Sequence, residues 1–153
     1  TRSAPLQHQP QPTMGQQQLL LLVLGIVIVG LAVVVGIQAF GENQTKANAD
    51  AMVNDGVRIA SDAQAWKLKP QAFGGGGALV GEENFTGLSF AQLGYAEGTQ
   101  TGCDTYGNLN GCYTLVATGT EVTITGTSAQ GNIVTVIVDG TDPDDIATTV
   151  TNS

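Results

Sequence analysis

The chain has 153 residues, a formal net charge of −8, only 12% charged residues and just two cysteines. This length gives room for one small domain beside a membrane-length segment. All five basic residues precede Pro70, whereas nine acidic residues and no basic residue follow it. Because acidic surfaces repel phosphate groups, we expect neither nucleic acid nor anionic lipid headgroups to bind the second half of the chain.

Residues 1–14 form a polar extension with three prolines and no periodicity, which predicts an extended or disordered segment. A secretory signal has a basic region directly before a short apolar stretch. Here sixteen uncharged residues separate Arg2 from the apolar run that begins at Leu19. We therefore expect the run to be retained in the mature protein.

Residues 19–37 read LLLLVLGIVIVGLAVVVGI and carry no charge. A helix needs about 20 apolar residues to cross a bilayer core, so we predict a transmembrane or filament-core helix over residues 19–40. Lipid is one apolar environment for such a helix, and copies of the same segment are another. Gly25, Gly30 and Gly36 fit both environments, because small residues let helices approach closely.

The helical pattern continues beyond Gly41 and becomes amphipathic. One apolar stripe repeats with a period of 3.6 residues and contains Ala49, Met52, Gly56, Ile59, Ala63 and Trp66. The charged pairs Asp55–Arg58 and Arg58–Asp62 have the spacing of helical ion pairs. Pro70 and the tetraglycine at 74–77 end the pattern. We therefore predict one helix over residues 15–69, with Met52, Ile59, Ala63 and Trp66 packed on the rest of the chain.

The remaining chain has the alternation and composition of β-strands. We predict strands at 112–117, 121–125 and 132–139, a final strand at 146–150 and a short edge strand at 84–90. Residues 70–111 are interpreted as a Gly-rich connector with loops, and residues 112–153 as an antiparallel β head. The fold class is therefore α+β, with a long N-terminal helix packed on a small C-terminal sheet.

Cys103 and Cys112 lie on the far side of the membrane-length segment, separated by eight residues. The simplest interpretation is one disulfide, and the alternative is two free thiols in a cytosolic domain. Two cysteines cannot form a four-ligand zinc site, and the sole histidine is His8.

An apolar half-helix that continues under a small β head with a cysteine pair resembles the type IV pilins and pseudopilins, from about Gly15 to the C-terminus. The resemblance implies a subunit that the inner membrane holds before assembly. The resemblance also implies that pilus assembly machinery then packs the subunit with its own copies into an extracellular helical homopolymer. The implied polymerisation core comprises Leu19, Leu20, Leu24, Gly25, Ile28, Gly30, Val34, Gly36 and Ile37.

The N-terminus departs from that family. Pilin leaders end with a basic residue and Gly, followed by Phe and then a glutamate that registers neighbouring subunits. Here Met14-Gly15 is followed by Gln16-Gln17-Gln18, so no residue stands in for that glutamate. We expect residues 1–14 to pack against neighbouring subunits and to supply part of the missing registration.

Three further patterns have an alternative, structural interpretation. Asp104, Asn108 and Asn110 offer oxygen ligands suited to Ca²⁺, although Asn and Gly in so short a loop are also ordinary turn residues. Asn84 begins an N-glycosylation sequon, as does Asn43, which lies on the predicted helix. The tetraglycine lacks the Lys-Ser/Thr of a phosphate loop and predicts a flexible connector.

Catalysis has little support in the sequence, because no basic residue follows Lys69 and the sole histidine lies in the N-terminal extension. We expect no enzyme activity, no metal and no cofactor. Two function classes remain. The first is a structural filament subunit at the cell surface, and the second is a single-pass anchored surface protein or a pseudopilin of a secretion system.

Overall fold

A computed structural model describes residues 1, 3–4, 14–76, 83–96, 98, 103 and 105–152. Helix α1 (Met14–Leu68) comes first, and a short 3₁₀ turn (Gln71–Phe73) follows it. The strands are β1 (Tyr106–Gly107), β2 (Cys112–Ala117), β3 (Val122–Thr127), β4 (Asn132–Val138) and β5 (Ile146–Asn152), with a second 3₁₀ turn (Pro143–Asp145) before β5. The predicted α+β architecture, a long N-terminal helix packed on a small antiparallel sheet, is confirmed.

The chain divides into two compact units, residues 1–42 and 43–153. Among the described residues, the first unit consists mainly of the apolar first part of α1. The second unit contains the remainder of α1 and the whole sheet, and it has its own hydrophobic core.

The sheet is a meander in which each strand pairs antiparallel with the next, in the order β1-β2-β3-β4-β5. Strand β2 has the predicted bounds, β3 is shifted toward the C-terminus, and β5 extends two residues beyond the prediction. Alternate residues of β4 are buried, since one face of the sheet lies against α1. Consecutive antiparallel strands need only short turns between them. In the β3–β4 turn, Gly131 adopts a left-handed φ of 87°.

The core of the second unit lies between the amphipathic part of α1 and the inner face of the sheet. Met52, Ile59, Ala63 and Trp66 are all buried there, at 0–7% exposure. Gly56 lies on the same face of the helix, and a Cβ on it would stand 2.7 Å from Cγ2 of Val136. The absence of a side chain at residue 56 therefore lets α1 lie close to β4.

The prediction of an edge strand at 84–90 is wrong. These residues form turns, and Leu88 N–H donates to the carbonyl of Phe85. Gly87 between them has a left-handed φ of 85°, which interrupts an extended conformation. Phe85, Leu88 and Phe90 are buried and belong to the hydrophobic core. The edge strands of the described sheet are instead the two-residue strand β1 and, on the other side, β5.

The described part of the tetraglycine packs closely against the rest of the second unit. Gly75 and Gly76 are buried, and Gly76 N–H donates to the carbonyl of Trp66 at 3.0 Å. The predicted flexible connector is therefore fixed at these two glycines, since Gly76 binds α1 and Gly75 N–H donates to the carbonyl of Pro70 just beyond it. The fourth glycine, residue 77, lies outside the described residues.

Candidate functional site: an apolar helix segment and a polar clamp

The apolar segment predicted to form the polymerisation core lies in the first part of α1. Its fifteen Leu, Val and Ile side chains between Leu19 and Ile37 are 50–70% exposed. The helix is long and apolar enough to cross a membrane, and its most apolar part is not buried against other described residues. At about 0.3–0.6 kcal/mol per residue, transfer of this segment into an apolar phase is favourable by on the order of 6 kcal/mol.

Three glycines in this segment have no packing role among the residues that the structure describes. A Cβ on Gly25, Gly30 or Gly36 would meet nothing within 4 Å beyond the local helix. Each glycine costs a helix about 0.8–1 kcal/mol relative to alanine. The segment therefore carries a helix penalty that its own fold does not offset, and each glycine leaves a shallow notch on the helix surface.

A polar clamp joins the second part of α1 to the loop and strands beside it. We use the term for Asn48, Asp55, Asn108, Asn110, Tyr113 and Asn132. Its centre is Oδ2 of Asp55, which accepts hydrogen bonds from Asn110 Nδ2 at 2.7 Å, Asn108 Nδ2 at 2.8 Å and the Tyr113 hydroxyl at 2.9 Å. Three donors on one carboxylate oxygen make Asp55 the main polar link between helix and sheet.

The loop of residues 108–111 is fixed by its own hydrogen bonds as well. Asn108 Oδ1 accepts from the backbone N–H groups of Asn110 and Gly111, at 2.9 and 3.2 Å. Asn48 Nδ2 donates to the carbonyl of Asn110 at 2.8 Å. The two asparagines considered as Ca²⁺ ligands thus use their amide groups to bind Asp55.

The third residue of that calcium prediction, Asp104, lies outside the described residues. Within the part of the chain that the structure describes, no group of three or more His, Cys, Asp or Glu side chains is arranged to hold a metal ion.

Asn132 extends the clamp toward the beginning of the second unit. It is fully buried, and its Nδ2 donates to the carbonyl of Thr45 at 2.8 Å and to Oδ1 of Asn48 at 2.9 Å. Its Oδ1 has no hydrogen-bond partner among the described residues. Because a buried amide is costly unless it is bonded, these two bonds fix the β3–β4 turn at one position along the helix.

Burial and hydrogen bonding shift the pKa values of the clamp in opposite directions. For Asp55, burial by itself raises the pKa, but the bonds from Asn110, Asn108 and Tyr113 outweigh it and lower the pKa below 3.8. The pKa of Tyr113 is raised above 10.0, first by burial and then by its bond to the charged Asp55. The clamp therefore consists of a carboxylate and a neutral phenol at neutral pH.

A second carboxylate on α1 makes a similar contact one heptad later. Asp62 Oδ2 accepts from the Tyr95 hydroxyl at 2.5 Å, and the Arg58 guanidinium lies 5.9 Å from the centre of the Tyr95 ring. Burial and this bond raise the pKa of Tyr95. The two acids that sequence spacing assigned to ion pairs with Arg58 thus bind tyrosines. The sequence does contain one indication of these contacts, because both acids lie beside the apolar stripe of α1 that faces the sheet.

The disulfide between Cys103 and Cys112 is confirmed, with a Cα–Cα distance of 5.7 Å. It links residue 103 to the first residue of β2 and encloses Asn108 and Asn110 in its loop. The covalent link and the clamp therefore restrain the same segment.

Asn84, the candidate glycosylation site, is half-buried, and its Oδ1 accepts from the N–H of Thr86 at 3.0 Å. Phe85 between them is fully buried. The sequon thus lies in a turn that the core holds in place.

Comparison of the chain with protein-family models, with curated proteins and with solved structures finds no match. The apolar segment, the clamp and the disulfide are therefore the observations on which an interpretation of function depends.

Proposed function

We propose that this chain is the structural subunit of an extracellular type IV pilus-like filament, which polymerises by packing of its hydrophobic N-terminal helix in the filament core. The observation that carries the proposal is the exposure of fifteen large apolar side chains between Leu19 and Ile37. A soluble monomer does not leave so large an apolar surface in water.

The same segment has a second apolar environment before assembly. Its length and hydropathy suit a bilayer, so the inner membrane holds the precursor, and pilus assembly machinery transfers it to the growing filament. The segment then exchanges lipid for identical helices. This exchange requires only a small free-energy difference, since both environments are equally apolar.

The three glycines favour packing between helices over contact with lipid alone. Flexible lipid chains adapt to any helix surface, so contact with lipid does not require glycine. A neighbouring helix, in contrast, can bring its backbone close to a helix only where the side chains between them are small, as at glycine. A Cβ on Gly25, Gly30 or Gly36 would contact no other described part of the chain beyond the local helix. Close packing against other copies would offset the cost in helix propensity that the three glycines carry.

The polar clamp and the disulfide suit a subunit that bears load. Asp55 on α1 binds Asn108, Asn110 and Tyr113, and the disulfide joins residue 103 to the start of β2. A force on the sheet therefore reaches the helix through the hydrogen bonds of the clamp, while the disulfide restrains the loop that supplies two of them. The acidic surface keeps neighbouring subunits soluble at high local density.

The second candidate function is a single-pass membrane-anchored surface protein, or a pseudopilin of a secretion system. The length of the apolar segment favours it equally, because one such helix is sufficient for an anchor.

Cell shearing separates the two candidates. We expect uniform filaments that contain this chain in the sheared fraction of the native cells. Recovery of the chain only from detergent-solubilised membranes, with no sheared polymer, would contradict the filament and favour the anchor.

A substitution that keeps the segment apolar separates the effect on helix packing from the effect on membrane insertion. Gly25→Leu fills a notch and makes the segment more apolar, so we expect normal membrane insertion and loss of sheared filaments. Leu22→Ile, at an exposed apolar position nearby, is the matched control and should leave both unchanged. Wild-type filament yield from Gly25→Leu would show that close packing at this glycine is not required.

A further inference from the structure

Strand β5 (Ile146–Asn152) forms a long, uncovered edge of the sheet. Six of its seven residues are exposed. No other described segment makes a backbone hydrogen bond to its outer side. The opposite edge strand, β1, has only two residues. Of the two described edges, β5 is therefore the one that offers a further strand a long row of unpaired backbone groups.

The sequence of β5, IATTVTN, lacks the features that usually protect an edge strand from association. Those features are charged side chains, proline and β-bulges. Strand β5 contains no charge and no proline, and it pairs with β4 residue by residue without a bulge. Five of its seven residues are β-branched, which favours the extended conformation. The strand is thus suited to the addition of another strand.

The ladder between β4 and β5 determines which backbone groups point outward. Asp139 N–H donates to the carbonyl of Asp145 at 3.2 Å, one position before the registered pair of Val138 and Ile146. In an antiparallel ladder, hydrogen-bonded pairs alternate with pairs that are not bonded. Residues 147, 149 and 151 therefore bond to β4. The N–H and C=O groups of residues 146, 148, 150 and 152 point outward.

A groove lies beside this edge, between α1 and β5. Its volume is about 380 Å³, and its lining residues are Val57, Ser61, Gln64, Pro143, Ile146 and Thr148. Val150 is in register with the buried Val134, so its side chain lies on the face of the sheet that α1 covers. It is nevertheless 43% exposed, and Val57 is 37% exposed. An apolar side chain on an added strand would cover this surface.

A second copy of β5 fits the edge in one antiparallel register. When Thr149 lies opposite Thr149 of the second copy, residue 148 lies opposite 150 and residue 146 opposite 152. All four outward-pointing residues of each strand then have a bonding partner. A shift of two residues in either direction leaves one of them unpaired. In this register Val150 of the second copy lies opposite Thr148, which lines the groove.

The acidic turn before β5 favours the antiparallel arrangement over the parallel one. Asp142, Asp144 and Asp145 directly precede the strand. Parallel pairing would bring the two turns to about 5 Å from each other, with repulsion between like charges. Antiparallel pairing separates them by the length of the strand, roughly 24 Å, which exceeds the Debye length of about 8 Å at physiological salt.

We propose that β5 is an interaction surface for a second copy of this chain, which pairs edge to edge as an antiparallel β5–β5 ladder with its two-fold axis at Thr149. Such a contact uses the same patch on both copies and closes on itself, so it does not elongate a filament. This inference goes beyond the proposed filament, because it requires only the folded second unit. Between two filaments, the contact would join them side by side.

Thr149→Cys tests the pair directly, because the two-fold axis places this residue opposite its own copy. The Cα atoms of such a non-bonded pair lie about 4.5 Å apart, within the range of a disulfide. The two native cysteines are bonded to each other, so the introduced thiol is free to react. We oxidise the full-length variant in detergent with copper phenanthroline. We expect a covalent dimer that forms faster at higher protein concentration.

Thr151→Cys is the matched control, because it is exposed on the same strand. In the proposed register residue 151 lies opposite Ala147, and the two introduced thiols would be roughly 14 Å apart along the strands. We expect this variant to cross-link at least tenfold more slowly than Thr149→Cys.

A second variant removes one of the outward donors. Thr148→Pro, combined with Thr149→Cys, eliminates an N–H that points away from β4, a position where an edge strand tolerates proline. We expect it to slow the cross-linking of Thr149→Cys about tenfold. Thermal unfolding checks that the fold is intact.

Two results would overturn the proposal. The first is the absence of a covalent dimer of Thr149→Cys at every protein concentration, which would leave the edge to a strand of a different protein. The second is equal cross-linking of Thr149→Cys and Thr151→Cys, which would show random collision within the detergent micelle. Neither result bears on the filament, because shearing and the Gly25→Leu variant test assembly independently.

Discussion

Asn110 donates its side-chain amide to the carboxylate of Asp55 over 2.7 Å, although the two residues are 55 positions apart in the sequence. Asn108 and Tyr113 donate to the same oxygen. One residue of α1 therefore accepts three long-range hydrogen bonds from the disulfide loop and β2. Tyr113 is fully buried, so its hydroxyl depends on this carboxylate for a partner.

Asp55→Ala should destabilise the second unit strongly. The change leaves three donors without their acceptor, and an unsatisfied buried group costs about 1–3 kcal/mol. We expect a loss of about 2–4 kcal/mol in the free energy of unfolding, measured by denaturant unfolding of the full chain in detergent. Asp50→Ala, an exposed acid on the same helix, should change it by less than about 0.5 kcal/mol. Equal effects of the two substitutions would show that the clamp contributes no stability.

Asp55 should also make stability depend on pH on the acid side. Its pKa in the folded protein lies below the unfolded value, so the charged form is favoured by folding. The contribution is complete above a pH of about 4 and is lost as the pH falls through the folded pKa. We expect Asp55→Asn to flatten the decline of stability below pH 4, as followed by thermal unfolding. An unchanged decline would mean that other carboxyl groups cause it.

The tyrosines predict a second dependence on pH, at the alkaline end. Folding raises the pKa values of Tyr95 and Tyr113, through burial and through bonds to Asp62 and Asp55. Their stabilising contribution is present below a pH of about 10 and is lost as the pH rises through the folded values.

Phenolate absorbance of the native chain therefore should appear at higher pH than that of the urea-unfolded chain. Tyr95→Phe and Tyr113→Phe should each remove part of the delayed absorbance change. Superimposable titrations of native and unfolded chain would contradict the two hydrogen bonds.

Gly56→Ala tests the close approach of α1 to β4. The new methyl group would lie 2.7 Å from Cγ2 of Val136, and overpacking of this kind costs about 1–3 kcal/mol. Alanine regains up to about 1 kcal/mol of helix propensity, so we expect a net destabilisation of about 1–2 kcal/mol in denaturant unfolding. Gly41→Ala, where a Cβ meets nothing within 4 Å, should be neutral or stabilising. A stabilised Gly56→Ala protein would show that the helix and sheet can separate without cost.

Sequence patterns succeeded where structure is local or periodic. The 3.6-residue stripe that ends at Trp66 anticipated which face of α1 is buried, and alternation located β2. They failed at residues 84–90, where apolar residues in turns resemble a strand. They also missed Asp55 as a hydrogen-bond acceptor, because its partners are 53 to 58 residues away and spacing on the helix pointed only to Arg58.

The apolar segment from Leu19 to Ile37 is fully specified by the sequence, because hydropathy depends on composition and not on neighbours in space. The presence of two cysteines and the helical period of the amphipathic stripe can also be read directly from the sequence. Only the tertiary structure decided that Asp55 joins α1 to Asn108, Asn110 and Tyr113, and that Gly76 binds the carbonyl of Trp66 near the end of α1. Hydrogen bonds and close packing depend on distances of a few ångströms between residues far apart in the chain, and no local pattern contains those distances.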